Sequence, residues 1–220
     1  YCAIPLIRGK HTSVPMEQIL EEAQKLAERG VKELIVIAQD TTYYGIDLYG
    51  RRRLADLLTE LCKINGVEWI RLHYAYPTAF PDDVIEVMAR EKKICKYLDI
   101  PFQHISDKML SAMKRRHTKA QAIELVAKLR KAIPDIALRT TLLVGYPGES
   151  EEDFAELMQF VKDTKFDRLG VFAYSEEEGT YSATRLKDDV EEEVKHERVD
   201  RIMRLQERIS LENNAKRVGQ

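Results

Sequence analysis

The chain has 220 residues, of which 44% are hydrophobic and 33% charged, with a formal net charge of −2. It should be globular, soluble and able to bury a substantial core, as one large domain or a barrel with a short extension. The near-neutral balance excludes a global nucleic-acid footprint, while a local basic face stays open, and no apolar run approaches the length of a membrane span. Three cysteines, at positions 2, 62 and 95, suit a reducing compartment, the cytoplasm, and do not suggest a disulfide framework. Cys62 follows Leu54, Leu57, Leu58 and Leu61 on one helical face, and Cys95 enters a short strand, so both read as packing residues.

The opening Tyr1-Cys2-Ala3-Ile4-Pro5, with Ile7-Arg8-Gly9, carries no initiator Met. It reads as the tail of a cysteine motif whose earlier members lie upstream. Ser13-Val14-Pro15 then opens a helix, with Pro in the first turn where its missing N–H costs nothing, and Gly30 stops it. The near-continuous apolar run 31–38 predicts a parallel strand buried on both faces, ending in the polar aromatic loop 39–45.

The alternation continues with helices at 53–63, 81–89, 107–113, 119–132 and 151–164. Strands are expected at 68–74, 97–100, 136–144 and 168–173. Five strands alternating with helices, with no hairpin signal, imply right-handed crossovers and a parallel sheet. A closed eight-stranded barrel needs about 250 residues, so the pattern fits an open partial barrel or a doubly wound sheet. After Tyr174 comes a polar loop to residue 187, then a long helix over 189–213. Its apolar stripe is Val199, Ile202, Met203 and Ile209, and Arg201, Arg204 and Arg208 read as a solvated face.

Ligands of parallel α/β folds bind at the carboxyl ends of the strands. Those ends carry Gln39-Asp40, Tyr74 to Tyr76, Gln103-His104, Gly145 to Glu149, and Tyr174. Gln39 and Asp40 also suit a plain cap, His104 a structural histidine, and Tyr174 rim packing. The most informative stretch is Arg139-Thr140-Thr141-Leu142-Leu143-Val144-Gly145-Tyr146-Pro147-Gly148-Glu149-Ser150. Its glycines permit positive φ, and Ser150 with Asp153 can start the next helix. Glu149 would repel a phosphate and better accept hydrogen bonds from a ribose, or bind an amine.

These motifs resemble the radical S-adenosylmethionine (SAM) methylthiotransferases. Tyr1-Cys2-Ala3-Ile4-Pro5 is similar to the end of their Cys-x3-Cys-x2-Cys motif, and Gly145-Tyr146-Pro147-Gly148-Glu149 to their glycine-containing fifth-strand motif. Gln39-Asp40-Thr41-Thr42-Tyr43-Tyr44-Gly45 and Pro101-Phe102-Gln103-His104 resemble the branch that methylthiolates a ribosomal protein, rather than the sister branch that acts on tRNA.

The resemblance implies an open partial TIM-type (β/α)6 barrel whose first strand lies upstream, with a core at 1–186. The long helix in 187–220 would lead to a further domain. It implies a [4Fe–4S] cluster held by Cys2 and two upstream cysteines, and a second cluster in an N-terminal domain. It also implies that Tyr1, Gln39, Asp40, Gln103, Arg139, Gly145, Glu149 and Tyr174 bind SAM, with no catalytic side chain assigned. The implied reaction uses a 5′-deoxyadenosyl radical to add a methylthio group to the β-carbon of an aspartate. The implied partner is a small-subunit ribosomal protein, with no direct nucleic-acid contact from this domain. A non-catalytic ribosome-binding barrel is the reading from another functional class.

Overall fold

The computed structural model describes residues 3–219. Helices α1 (Ile4–Arg8) and α2 (Met16–Glu28) precede strand β1 (Glu33–Val36). A 3-10 turn at Thr41–Tyr43 and helices α3 (Ile46–Tyr49) and α4 (Leu54–Cys62) lead to β2 (Trp69–Leu72). Helix α5 (Asp82–Arg90), strand β3 (Ile94–Asp99), and helices α6 (Asp107–Ala112) and α7 (Lys119–Ala132) follow. Strand β4 (Ala137–Val144), α8 (Glu151–Thr164), β5 (Arg168–Ala173), α9 (Tyr181–Arg185) and α10 (Glu192–Ala215) complete the order.

The strands form one sheet in the order β1-β2-β3-β4-β5, and the registers of β1 with β2, β2 with β3, and β4 with β5 are parallel. Among the described residues the sheet does not close, which agrees with a partial barrel. None of the described helices is long and apolar enough to cross a membrane.

Two compact units share the chain. One comprises residues 10–100 and 127–137, the other residues 3–9, 101–126 and 138–219. In the former, Leu54, Leu57, Leu58 and Leu61 place one face of α4 in the core, where α4 packs on α2 and α5. Cys62, one residue off that face, is half-buried, and burial pushes its thiol pKa up.

In the latter, β4 alternates buried and half-buried side chains along its full length. Phe102, Phe160 and Phe166 stack edge-on or tilted within it, at centroid distances of 5.5–6.1 Å. Ser150 and Asp153 form the expected reciprocal cap at the start of α8: each backbone N–H donates to the other's side chain, at 3.0 and 3.2 Å. Helix α10 packs on β5 and α8.

The stripe it buries differs from the expected one. Lys195, Arg198, Ile202, Gln206 and Ile209 are buried, while Met203 is 44% exposed. Residues 187–219 are grouped with β4 and β5 in a single unit.

Candidate functional site

In the unit holding β4 and β5, the parallel register brings the carboxyl ends of both strands together, since Val144 pairs with Ala173. Gly145 (φ 71) turns the chain immediately after β4, and Gly148 (φ 82) turns it again. Both angles lie where a side chain is strained. The turn closes on itself, because the Glu149 carboxylate accepts a hydrogen bond from the Gly145 N–H.

Glu149 does not face solvent. Its side chain is fully buried, 3.5 Å from His104 Nε2 and 3.5 Å from Arg198 Nη1. His104 in turn accepts from the Ser106 N–H through Nδ1 at 3.0 Å. Ser106 donates to Asp153 Oδ1 at 2.5 Å, and Lys108 to Asp153 Oδ2 at 2.7 Å. Burial alone would raise the Asp153 pKa, but the bonds from Lys108, Ser106 and Ser150 outweigh it and hold the carboxyl well below its usual range.

Tyr174, the first residue after β5, is 5% exposed, and its hydroxyl has no hydrogen-bond partner among the described residues. A buried polar atom left unpaired costs free energy, so such an atom marks a place where a partner is wanted. Its ring meets Tyr146 edge-on at 5.2 Å, and both rings join Met109 and Met113 in one apolar cluster. Gln103 is half-buried and held in the left-handed region (φ 70). Its backbone pairs with β4 through the Thr141 carbonyl at 2.9 Å and the Leu143 N–H at 2.7 Å. Gln103, Gly145, Glu149 and Tyr174 therefore all lie at or beyond the carboxyl half of this sheet segment.

Arg139 does not join them. It lies five residues before Val144, roughly 16 Å along the strand.

In the other unit, Gln39 is exposed. Asp40 spends its carboxylate on capping, as Oδ1 accepts from Thr42 N at 2.9 Å and Thr42 Oγ1 at 2.6 Å. Tyr43 is exposed, whereas Tyr44 is buried and donates to the Val14 carbonyl at 3.0 Å. An apolar cavity of about 420 Å³ in this unit is lined by α2, β1 and α4 and by residues such as His11 and Tyr44. Neither Gln39 nor Asp40 lines it.

Tyr1 and Cys2 fall outside the described residues. Among the described residues no group of three His, Cys, Asp or Glu side chains is arranged to hold a metal.

Sequence reasoning missed Asp189, Lys195 and Arg198. Asp189 Oδ1 accepts from the Gly148 N–H at 2.7 Å. Lys195 is 1% exposed, with Nζ on Asp188 at 2.5 Å and Glu192 at 2.6 Å. Burial lowers its pKa, but those two carboxylates prevail and hold it above the usual lysine value. Arg198 Nη1 also donates to the Glu149 carbonyl at 3.3 Å. The signal was present in the spacing, since 195, 198, 202, 206 and 209 are one continuous helical stripe.

The sequence matches the Radical SAM superfamily over residues 1–161. It is 58% identical over 220 residues to a protein of Flavobacterium johnsoniae named ribosomal protein uS12 methylthiotransferase RimO, covering all of this chain and 50% of that protein. Proteins of the same name from Christiangramia forsetii and Porphyromonas gingivalis are 57% and 53% identical over all of this chain, which covers 49% and 50% of them. The chain thus spans about half the length of the curated relatives it matches.

Among solved structures, coproporphyrinogen III oxidase (HemN) of Escherichia coli has a TM-score of 0.59 at 21% identity, over 90% of this chain and 46% of that one. Methylornithine synthase (PylB) has a TM-score of 0.59 at 16% identity, over 90% and 56%. At such identities the likeness concerns the fold, a radical SAM barrel. With a family match over 161 of its 220 residues, this chain belongs to the radical SAM superfamily, whose members use a [4Fe–4S] cluster and SAM.

Proposed function

We propose that this chain is the SAM-binding core of a methylthiotransferase that modifies ribosomal protein uS12, adding a methylthio group to the β-carbon of an aspartate. The observation that carries this is the identity of 52–58% across the whole chain to proteins named for that activity. When bound, the cluster and SAM supply a 5′-deoxyadenosyl radical, the hard chemistry that no side chain provides. Cys2 would be a cluster ligand, with two upstream cysteines, and Tyr1 would lie against the adenine.

The described residues at the strand ends fit a bound nucleoside. Tyr174 offers a buried hydroxyl without a partner among the described residues, beside an apolar wall of Tyr146, Met109 and Met113 that excludes water. Gln103, in its left-handed conformation, would supply a side-chain amide to the ligand, and the Gly145 turn sets the backbone at the end of β4. Glu149 acts through that turn, because its carboxylate is already engaged by the Gly145 N–H. Gln39 and Asp40 would serve the methionine end of SAM, Asp40 chiefly by fixing its loop, and Arg139 would act from deeper in the sheet.

Charge supports a protein substrate. Residues 39–50 and 101–107 contain no Lys or Arg, and Glu176, Glu177 and Glu178 are exposed just beyond Tyr174. An RNA strand would want cations along its phosphates, which a protein segment does not need.

The test is anaerobic reconstitution of the longer protein that contains this chain. Two four-iron clusters and reductant-dependent formation of 5′-deoxyadenosine from SAM are expected. A protein that binds no iron and leaves SAM intact would support the non-catalytic barrel instead.

A further inference from the structure

We infer that the segment 189–198, leading into and through the start of α10, positions the Gly145–Glu149 turn, and that Arg198, Lys195 and Asp189 are positioning residues for the ligand bound there. The inference rests on the reading of that turn as part of the SAM site.

Three independent contacts converge on five residues. Asp189 holds the Gly148 N–H at 2.7 Å. The Lys195 stem lies so close to Gly145 that an added Cβ would fall 2.2 Å from Lys195 Cγ. Arg198 meets the Glu149 carbonyl at 3.3 Å and its carboxylate at 3.5 Å. Each tie reaches backbone or the carboxylate that closes the turn, so together they fix which way its peptide groups point.

A turn with two left-handed glycines needs such ties, because glycine leaves the backbone many alternatives. Stability is a weaker explanation for the arrangement. Burying Arg198, Lys195 and the Glu149 carboxylate incurs a desolvation penalty that apolar packing of the same volume avoids. Arg201, one turn away from Arg198, makes an ordinary exposed pair with Glu151 at 3.0 Å and provides an internal comparison.

The experiment uses the longer protein containing this chain, with SAM as the ligand. Amide hydrogen exchange at Gly145 and Gly148 is measured without SAM, and SAM affinity and iron content after reconstitution. Arg198→Met should accelerate exchange at both glycines and weaken SAM binding by about tenfold, with iron content unchanged. Arg198→Lys should recover most of the loss, and Arg201→Met should behave as the parent.

Asp189→Ala, an exposed change that should fold readily, should accelerate exchange at Gly148 and weaken SAM binding severalfold. Parental exchange and parental SAM affinity in both Arg198→Met and Asp189→Ala would overturn the inference. If SAM fails to protect the Gly145 and Gly148 amides in the unaltered protein, it is the assignment of the turn to the SAM site that fails. Faster exchange in the variants would then still establish the clamp.

Discussion

Lys195 lies directly across Gly145, with its Cγ 2.2 Å from where a Cβ on that glycine would stand. Residues fifty apart in sequence thus share one small volume at the carboxyl end of β4.

Gly145→Ala should therefore be strongly destabilising. The left-handed angle of 71° costs a non-glycine residue about 1–2 kcal/mol, and displacing a buried, ion-paired lysine adds to it. A loss of about 3 kcal/mol in denaturant unfolding is expected. A loss under about 0.5 kcal/mol would show that the Lys195 stem moves aside freely.

Tyr174→Phe should separate binding from stability. Its hydroxyl is buried without a partner among the described residues, so removing it should leave thermal stability unchanged or raise it slightly. SAM affinity should fall about fivefold to tenfold, the range for one hydrogen bond. A clear loss of stability with unaltered SAM binding would assign the hydroxyl to the fold.

His117 predicts a pH dependence. Burial, with the nearby charge of Arg115, lowers its pKa from 6.5 to about 4. Between those values the unfolded chain binds a proton that the folded chain refuses. The contribution is thus fully present above pH 6.5 and is lost as pH falls towards 4. His117→Gln should flatten the stability curve in that window, and a slope parallel to the parent would contradict the assignment.

Cys2→Ala in the longer protein should abolish SAM cleavage and reduce bound iron while leaving the barrel folded, since a methyl group cannot coordinate iron. Retention of both iron and 5′-deoxyadenosine formation would remove Cys2 from the ligand set.

The alternation of strands and helices was legible because buried parallel strands need apolar runs and crossover helices need amphipathic ones. The strand ends were less so. The run 31–38 reads as buried on both faces, yet β1 is Glu33–Val36 and Ile37 is 61% exposed. Hydrophobicity records what favours burial, and not what covers it. Helices α3 and α9, of four and five residues, escaped because single turns depend on local caps such as Thr180 more than on periodicity.

At the site, Gly145 and Tyr174 could be placed from their position after strands. Glu149 looked like a ligand-facing carboxylate, because its buried partner Arg198 is 49 residues away. Met203 was assigned to the apolar stripe of α10, where Lys195 and Arg198 instead occupy the buried face with their long stems.

The central claim is tested most directly by incubating the reconstituted longer protein anaerobically with SAM, reductant and sulfide, alongside ribosomal protein uS12 and tRNA. Mass spectrometry should show uS12 gaining one methylthio group on an aspartate while the tRNA stays unmodified. Modification of the tRNA with uS12 unchanged would contradict the account.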